Sequence, residues 1–373
     1  MDTAQPVDPQ GFTLSAWERE LAELGAPRYR AEQVFSWLHA RRATGYAAMT
    51  NLPRQLREQL ARRLPWRAAA VAGTARSRDG AVKYLFRAED GAAFEAVFLP
   101  AARGASLCVS VQAGCSFACA FCATGRSGFQ RNLRAGEILQ QVYTLAEAHG
   151  LSSYRVLLMG MGEPLANLDA TVRALQILRH PRGQALAPRR LTVSTVGLRG
   201  RIARLAREVP GVELALSLHF TTQEQRQRYL PAARRFPLPD LFAELSRAES
   251  FSKVTLEYLL LAGVNDTAED AAALAALAHG VVPRARKVEP PARLRSRFRA
   301  LVTYHVNLIK LNPAAGSPFL PTPYAQAESF QNYLKTAGIT ATYRRSVGSD
   351  IAAACGMLAG QAASAAVGTG GVR

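Results

Sequence analysis

Apolar residues recur at steps of three and four near the start of the chain, where Leu14, Trp17, Leu21 and Leu24 fall on one helical face. Ser15-Ala-Trp-Glu18 reads as a capping box opening that helix. The same period continues through Phe35, Trp37 and Leu38 and again through Leu56, Leu60 and Leu64, which predicts a small N-terminal helical domain over residues 1–70. Two strand-like runs follow, Val82 to Phe86 and Phe94 to Leu99. The Glu89-Asp90-Gly91 turn signal between them predicts a hairpin extension over 71–106. From Leu107 onward, β-rich runs alternate with amphipathic helical ones: Cys108-Val-Ser-Val before Ile138 to Ala148, Leu191-Thr-Val-Ser before Ile202 to Val209, Val254 to Leu261 before Ala271 to Ala278. Six such units predict parallel strands joined by right-handed crossovers, an α/β fold of the incomplete (β/α)6 barrel kind over 107–358. The Gly-, Ala- and Ser-rich residues 359–373 predict a disordered tail.

In such a barrel, reactive groups gather where strands end and loops begin. Cys115, Cys119 and Cys122 follow the first barrel strand, and Gly160-Met-Gly-Glu-Pro164 follows the second. Ser194 ends the third, Ser217 and His219 the fourth, and Asn312 the sixth. Three thiolates with gaps of three and then two residues can hold three irons of a 4Fe-4S cube, leaving the fourth iron without a protein ligand. An open iron binds a substrate, which points to S-adenosylmethionine (SAM) and radical generation. A zinc knuckle recruiting Cys108 or a histidine is the competing reading, although structural zinc usually takes its ligands as two separated pairs. Gly160 and Gly162 let backbone approach a ligand, and Glu163 offers a carboxylate to the ammonium of SAM. An ordinary strand-to-loop turn uses the same glycines. Ser194, Ser217, His219 and Asn312 suit the SAM carboxylate, ribose or adenine, and each alone also reads as a cap or turn.

Five cysteines in 373 residues are sparse and odd in number, and Met1-Asp-Thr-Ala-Gln-Pro6 lacks the basic-then-apolar pattern of a secretion signal. The expected compartment is a reducing cytoplasm. No apolar run approaches the ~20 residues that cross a bilayer, so no membrane partner is expected. Lys and Arg, 46, exceed Asp and Glu, 28, for a net charge of +18. The excess, mostly arginine, suits a polyanion, though arginine- and alanine-rich coding gives the same bias. Arg28, Arg30, Arg41 and Arg42, and the stretch 281–300 with Arg284, Arg286, Lys287, Arg293, Arg295, Arg297 and Arg299, read equally as RNA contacts and as solvated surface. Cys355 sits in an alanine-rich run and by itself reads as a small buried hydrophobe. Gly356 implies a bend there that would let the thiol enter the barrel mouth.

Together these segments resemble the RlmN/Cfr family of radical SAM RNA adenine methyltransferases. The likeness covers nearly the whole chain: Cys115-Ser-Phe-Ala-Cys-Ala-Phe-Cys-Ala-Thr-Gly125, Gly128-Phe-Gln-Arg-Asn-Leu133, Gly160 to Asn167, Arg190 to Gly197, Ser217-Leu-His219, His305 to Ile309 and Asp350 to Gly356. The run at Gly128 is more similar to the RlmN branch, which methylates carbon 2 of adenine, than to the Cfr branch, which methylates carbon 8. The resemblance implies a radical SAM partial barrel with a 4Fe-4S cluster on Cys115, Cys119 and Cys122. It further implies SAM contacts from Gly162, Glu163, Ser194, Ser217, Leu218, His219 and Asn312. Cys355 is then the residue that one SAM methylates, and a 5'-deoxyadenosyl radical from a second SAM takes hydrogen from that methyl. Cys108 assists release and closes a transient disulfide with Cys355, while Glu95 acts as proton acceptor. The implied product is 2-methyladenosine in 23S rRNA and at adenosine 37 of tRNAs, made by a monomer with a flavodoxin-type electron donor. The alternatives are the carbon-8 product and a non-catalytic Fe-S or zinc RNA-binding protein. The chain departs from the family pattern at Pro231-Ala-Ala233 where Pro-Ile-Asn is usual, at Met357 where glutamine is common, and at Phe220 where a small residue is usual.

Overall fold

A computed structural model of the chain describes residues 8–102, 104–248, 250–280, 304–313, 317–344 and 346–360. The basic stretch 281–300 and the tail beyond Gly360 lie outside the described residues.

The helical start forms α1 (Leu14–Glu23), α2 (Tyr29–His39) and α3 (Arg54–Arg63). Trp17, Leu21, Val34, Phe35 and Leu60 are fully buried, as the period requires. The expected capping box does not form. Thr13 takes the extended backbone of a cap and its hydroxyl accepts from Ala16 N at 3.3 Å, so Ser15 lies inside the first turn. Glu18 is thereby free to pair with Arg28 at 2.8 Å.

The strands are β1 (Ala70–Arg76), β2 (Val82–Arg87), β3 (Ala93–Pro100), β4 (Ala105–Cys108), β5 (Gln112–Gly114), β6 (Phe129–Asn132), β7 (Arg155–Leu158), β8 (Leu191–Thr195), β9 (Glu213–Ser217), β10 (Lys253–Leu260), β11 (Tyr304–Lys310) and β12 (Ala341–Arg344). All but β5 and β6 join one sheet in the order β1-β2-β3-β4-β7-β8-β9-β10-β11-β12. From β4 to β12 every pairing is parallel; from β1 to β4 every pairing is antiparallel. The expected hairpin is therefore an extension of the barrel wall, and β12 adds a seventh parallel strand to the six expected. With β1 and β12 as its edges the sheet stays open. Helices α5 (Ala135–Ala148), α6 (Leu168–Arg179), α7 (Arg201–Glu208), α9 (Leu238–Leu245), α10 (Ala268–Ala278) and α11 (Tyr324–Thr336) follow successive strands, while the short α4 (Ala123–Arg126) and α8 (Gln223–Tyr229) lie in the loops after β5 and β9.

The boundary at residue 70 falls where β1 begins, yet one buried cluster runs from Trp17 and Phe35 through Val156 and Leu214 to Leu358. His39 Nδ1 meets Tyr143 Oη at 2.9 Å, and Gly136 N donates to Asp8 at 2.8 Å, tying the start of the chain to α5. Each large apolar side chain in this shared cluster contributes about 2 kcal/mol by burial, so the helical segment and the barrel stand as one unit.

Candidate functional site

The C-terminal ends of the parallel strands open into a cavity of about 290 Å³. Its wall includes Cys108, Cys115, Cys119, Cys122, Gly162, Glu163, Ser194, Ser217, His219, Asn312 and Cys355. Neither Leu218 nor Glu95 is on that wall. The Leu218 side chain is fully buried in the core, and its carbonyl accepts from Arg226 at 2.8 Å.

The cysteine loop is closed at its base by β5 and β6. Gly114 has φ +78 and a Cβ there would stand 2.0 Å from Gly128 O, so only glycine allows Cys115 N to donate to that carbonyl at 2.9 Å. Arg131 on β6 anchors the hairpin on the buried Glu137 at 2.8 Å. Within the loop, Phe117 N donates to Cys115 Sγ at 3.4 Å. Burial pushes the Cys115 thiol up to about 12 and Cys119 well above its ordinary value, and the charges of neighbouring thiols add to both shifts. Three soft sulfurs on one cavity wall, close enough to repel as thiolates and with an N–H aimed at one of them, form a donor set suited to an iron-sulfur cube. Among the described residues, no three His, Cys, Asp or Glu side chains converge as ligands of one ion. A cube spreads its cysteines over different irons. Cys108 faces Cys355 and Arg344 rather than joining the three.

Cys355 reaches this loop through its backbone. Ala123 N, at the start of α4, donates to Gly356 O at 2.7 Å, and Thr124 Oγ1 donates to Leu358 O at 2.6 Å. Gly356 takes φ +80, the bend the sequence suggested. Cys355 is exposed by area while burial is the largest influence raising its thiol, because its open face is the cavity rather than the outer surface. Arg344 opposes the shift, whereas Glu257 and Cys122 add to it.

The turn after β7 uses its glycines for packing as well as for the cavity. A Cβ on Gly160 would meet Val109 O at 2.8 Å, and one on Gly162, at φ +97, would meet Gln112 Cβ at 2.5 Å. Their missing side chains make room for the β4–β5 segment, and both glycines also line the cavity. Glu163 is buried, and its carboxylate accepts from Leu165 N and Val196 N, both at 2.9 Å. Burial raises its pKa to about 7 against those donors, so a cation arriving in the cavity would favour its charged form. Ser194 and Ser217 hydroxyls meet at 3.3 Å across β8 and β9. Asn312 lies just beyond β11, its amide 3.4 Å from Lys310 O. Glu95, by contrast, is buried away from the cavity: its Oε1 is 3.1 Å from Lys83 Nζ in an ion pair but has no hydrogen-bond partner, and its Oε2 accepts from Ala359 N at 3.0 Å and Gly360 N at 3.3 Å. Ala359 and Gly360 thus belong to the folded structure, contrary to a tail starting at 359.

His219 has φ +57, unusual for a residue with a side chain. Its Nδ1 accepts from Leu259 N at 3.2 Å, and burial lowers its pKa to about 3, so it is a neutral ring with its proton on Nε2. The conformation is held by Asn265, which donates to His219 O at 2.7 Å and Leu259 O at 2.8 Å and accepts from Leu261 N at 2.8 Å. Asn265→Ala orphans all three groups and is expected to cost about 3 kcal/mol, read as a lower denaturation midpoint. An unchanged midpoint would show that His219 holds its backbone unaided.

Sequence reasoning missed Asn265, Arg226, Glu257, Asn307 and Arg344. Glu257 is buried in the cavity wall, accepts from Asn307 Nδ2 at 2.8 Å, and its pKa is raised by burial against the Arg344 charge. A lone carboxylate inside the apolar run Val254 to Leu261 was the available signal. Two departures from the family pattern, Phe220 and Ala233, share one cluster with Cys119, so a larger residue and a smaller one fill a common space.

Two family profiles match: the Radical SAM superfamily over residues 109–278 and the Ribosomal RNA large subunit methyltransferase N-terminal domain over residues 10–64. A Thermus thermophilus protein described as "Probable dual-specificity RNA methyltransferase RlmN" is 42% identical over 344 residues, covering 90% of both chains. The Geobacter sulfurreducens protein "Dual-specificity RNA methyltransferase RlmN" is 40% identical over 363 residues, covering 97% of this chain and 94% of its own. The crystal structure of a radical SAM methyltransferase from Sphaerobacter thermophilus superposes with a TM-score of 0.84 at 39% identity, covering 95% of this chain and 100% of that one. With likeness of this extent over both the helical start and the barrel, the chain belongs to the RlmN family of the radical SAM superfamily.

Proposed function

We propose that this chain methylates carbon 2 of adenine in 23S rRNA and at adenosine 37 of tRNAs, using a 4Fe-4S cluster and SAM. The observation that carries this reading is the docking of the Cys355 segment on the cysteine loop, with Cys108 in the same cavity wall. When bound, the cluster and SAM supply a methyl group and a 5'-deoxyadenosyl radical. Cys115, Cys119 and Cys122 would hold the cluster. Glu163 would take the ammonium of SAM, while Ser194, Ser217, Asn312, the His219 Nε2–H and the backbone at Gly162 would hold the rest; Leu218, with its N–H and carbonyl already bonded within the protein, would hold the strand end rather than the ligand. Cys355 loses its thiol proton on receiving the methyl, and the sulfur then presents that carbon to adenine. An amidine carbon is not a nucleophile, so a methyl delivered as a carbon radical reaches it where displacement from SAM does not. Once the adduct has lost the carbon-2 proton and one electron, the Cys108 thiolate would attack the Cys355 sulfur; the sulfur–sulfur bond forms as the carbon–sulfur bond breaks, and the pair left on carbon takes a proton to complete the methyl. Glu95 would take the carbon-2 proton on Oε1, the oxygen without a hydrogen-bond partner, which requires that it reach the cavity from its buried place beside Lys83.

The helical start and the positive net charge serve RNA binding in this reading, within a cytoplasmic monomer reduced by a flavodoxin-type donor. No helix among the described residues is long and apolar enough to cross a membrane. Nucleoside mass spectrometry of rRNA and tRNA from cells with and without the gene tests the assignment. Loss of 2-methyladenosine on deletion is the expected result. An unchanged level sinks the assignment, and loss of 8-methyladenosine instead moves the reaction to carbon 8.

A further inference from the structure

Arg226 is 1% exposed, among the largest fully buried side chains of the protein. No carboxylate pairs with it among the described residues. Its guanidinium donates to Leu218 O at 2.8 Å, Val196 O at 2.9 Å and, more weakly, Ser217 O at 3.5 Å, and its Nε is buried without a hydrogen-bond partner. Burying an ion this deeply without a counter-charge is costly, and carbonyl dipoles offset only part of that cost. Its helix α8 ends against the cysteine loop, where Ala120 N donates to Tyr229 O at 3.0 Å and Cys119 shares one apolar cluster with Leu230, which brings the Arg226 charge beside the Cys119 sulfur. A four-iron cube carried on three thiolates has a net negative charge, and reduction adds one electron more.

We propose that Arg226 is the buried counter-charge of the cluster, raising its reduction potential by stabilising the reduced state. The proposal rests on Cys119 being a cluster ligand. The charge lies on the protein side of the loop, away from bulk solvent that would screen it. It also explains why a cation is kept beneath strand ends whose carbonyls a neutral donor could have satisfied. Arg226 is a positioning residue, acting on the reaction through the cluster.

Arg226→Lys keeps the charge and loses the fork of donors; Arg226→Gln keeps amide donors and loses the charge. Both are reconstituted anaerobically as full-length protein. The readouts are iron and sulfide content and the midpoint of a redox titration followed by electron paramagnetic resonance. The expected result is a Lys variant near the parent and a Gln variant whose reduction equilibrium is at least tenfold less favourable, about 59 mV for a one-electron couple. A Gln variant that cannot hold the cluster while the Lys variant can supports the proposal equally. Unshifted midpoints in both, or loss of the cluster from both, overturn the proposal and leave Arg226 as a brace for the loops after β8 and β9. Parent protein that binds no iron overturns the ligand assignment on Cys119 as well, and is recognised because it fails before any variant is compared.

Discussion

Cys355→Ala is expected to leave a folded, cluster-competent protein that carries no S-methyl group and makes no product above background. The substitution removes one sulfur whose open face is the cavity. The contacts that dock its segment use backbone, Ala123 N to Gly356 O and Thr124 Oγ1 to Leu358 O, and both survive. Iron content and the thermal midpoint should therefore match the parent. Chemistry should not, because the thiolate is the group that captures a methyl, and neither alanine nor a serine hydroxyl replaces it at neutral pH. Burial raises the Cys355 thiol, so methyl loading in the parent should quicken as pH rises above neutrality, with Arg344 nearby limiting the penalty. Peptide mass spectrometry reads the S-methyl on residue 355, and nucleoside analysis reads the product. Recovery of methylated adenosine from the alanine variant would remove Cys355 from the mechanism.

Most of the barrel is legible in the alternation of strand and helix runs, because parallel strands are buried on both faces and read as apolar stretches. β1 is invisible for the opposite reason: nearly all of it is exposed, so no inward-facing alternation marks it. β12 is four residues long and half exposed, too short for its period to register. At the site, the thiols and polar residues that follow successive strands line one cavity, so their gathering is legible from order alone. Those that act by holding others are not. Asn265 sits in the loop after β10 and looks like a turn residue, and its role exists only through His219, forty-six residues earlier in the chain. Arg226 lies on a polar helix between Gln225 and Gln227, and nothing in that pattern signals burial. The two glycines after β7 read as room for a ligand, and sequence does not show that the β4–β5 segment packs against them as well.

Cys108→Ala is expected to stall the reaction after the carbon–carbon bond forms, leaving RNA covalently attached through residue 355. Cys108 ends β4, where backbone pairing with Val97 and Leu157 fixes its position, so alanine preserves the strand. Its thiol is buried, faces Cys355, and is pushed up by burial with the Cys355 charge as the next influence. The two thiols line one cavity and both are free in the resting structure, so a sulfur–sulfur bond can form between them as the carbon–sulfur bond breaks. Arg344, facing both, favours whichever is the thiolate. Without the second sulfur the adduct has no internal route to release. A denaturing gel of the variant incubated with RNA, SAM and reductant should show a slow band that nuclease shortens, and mass spectrometry should place the nucleotide on Cys355. A Cys108 variant that turns over with parent-like yield and no such band would show that release proceeds without this thiol, leaving Glu257, the carboxylate facing Cys355 in the cavity wall, as the next residue to substitute.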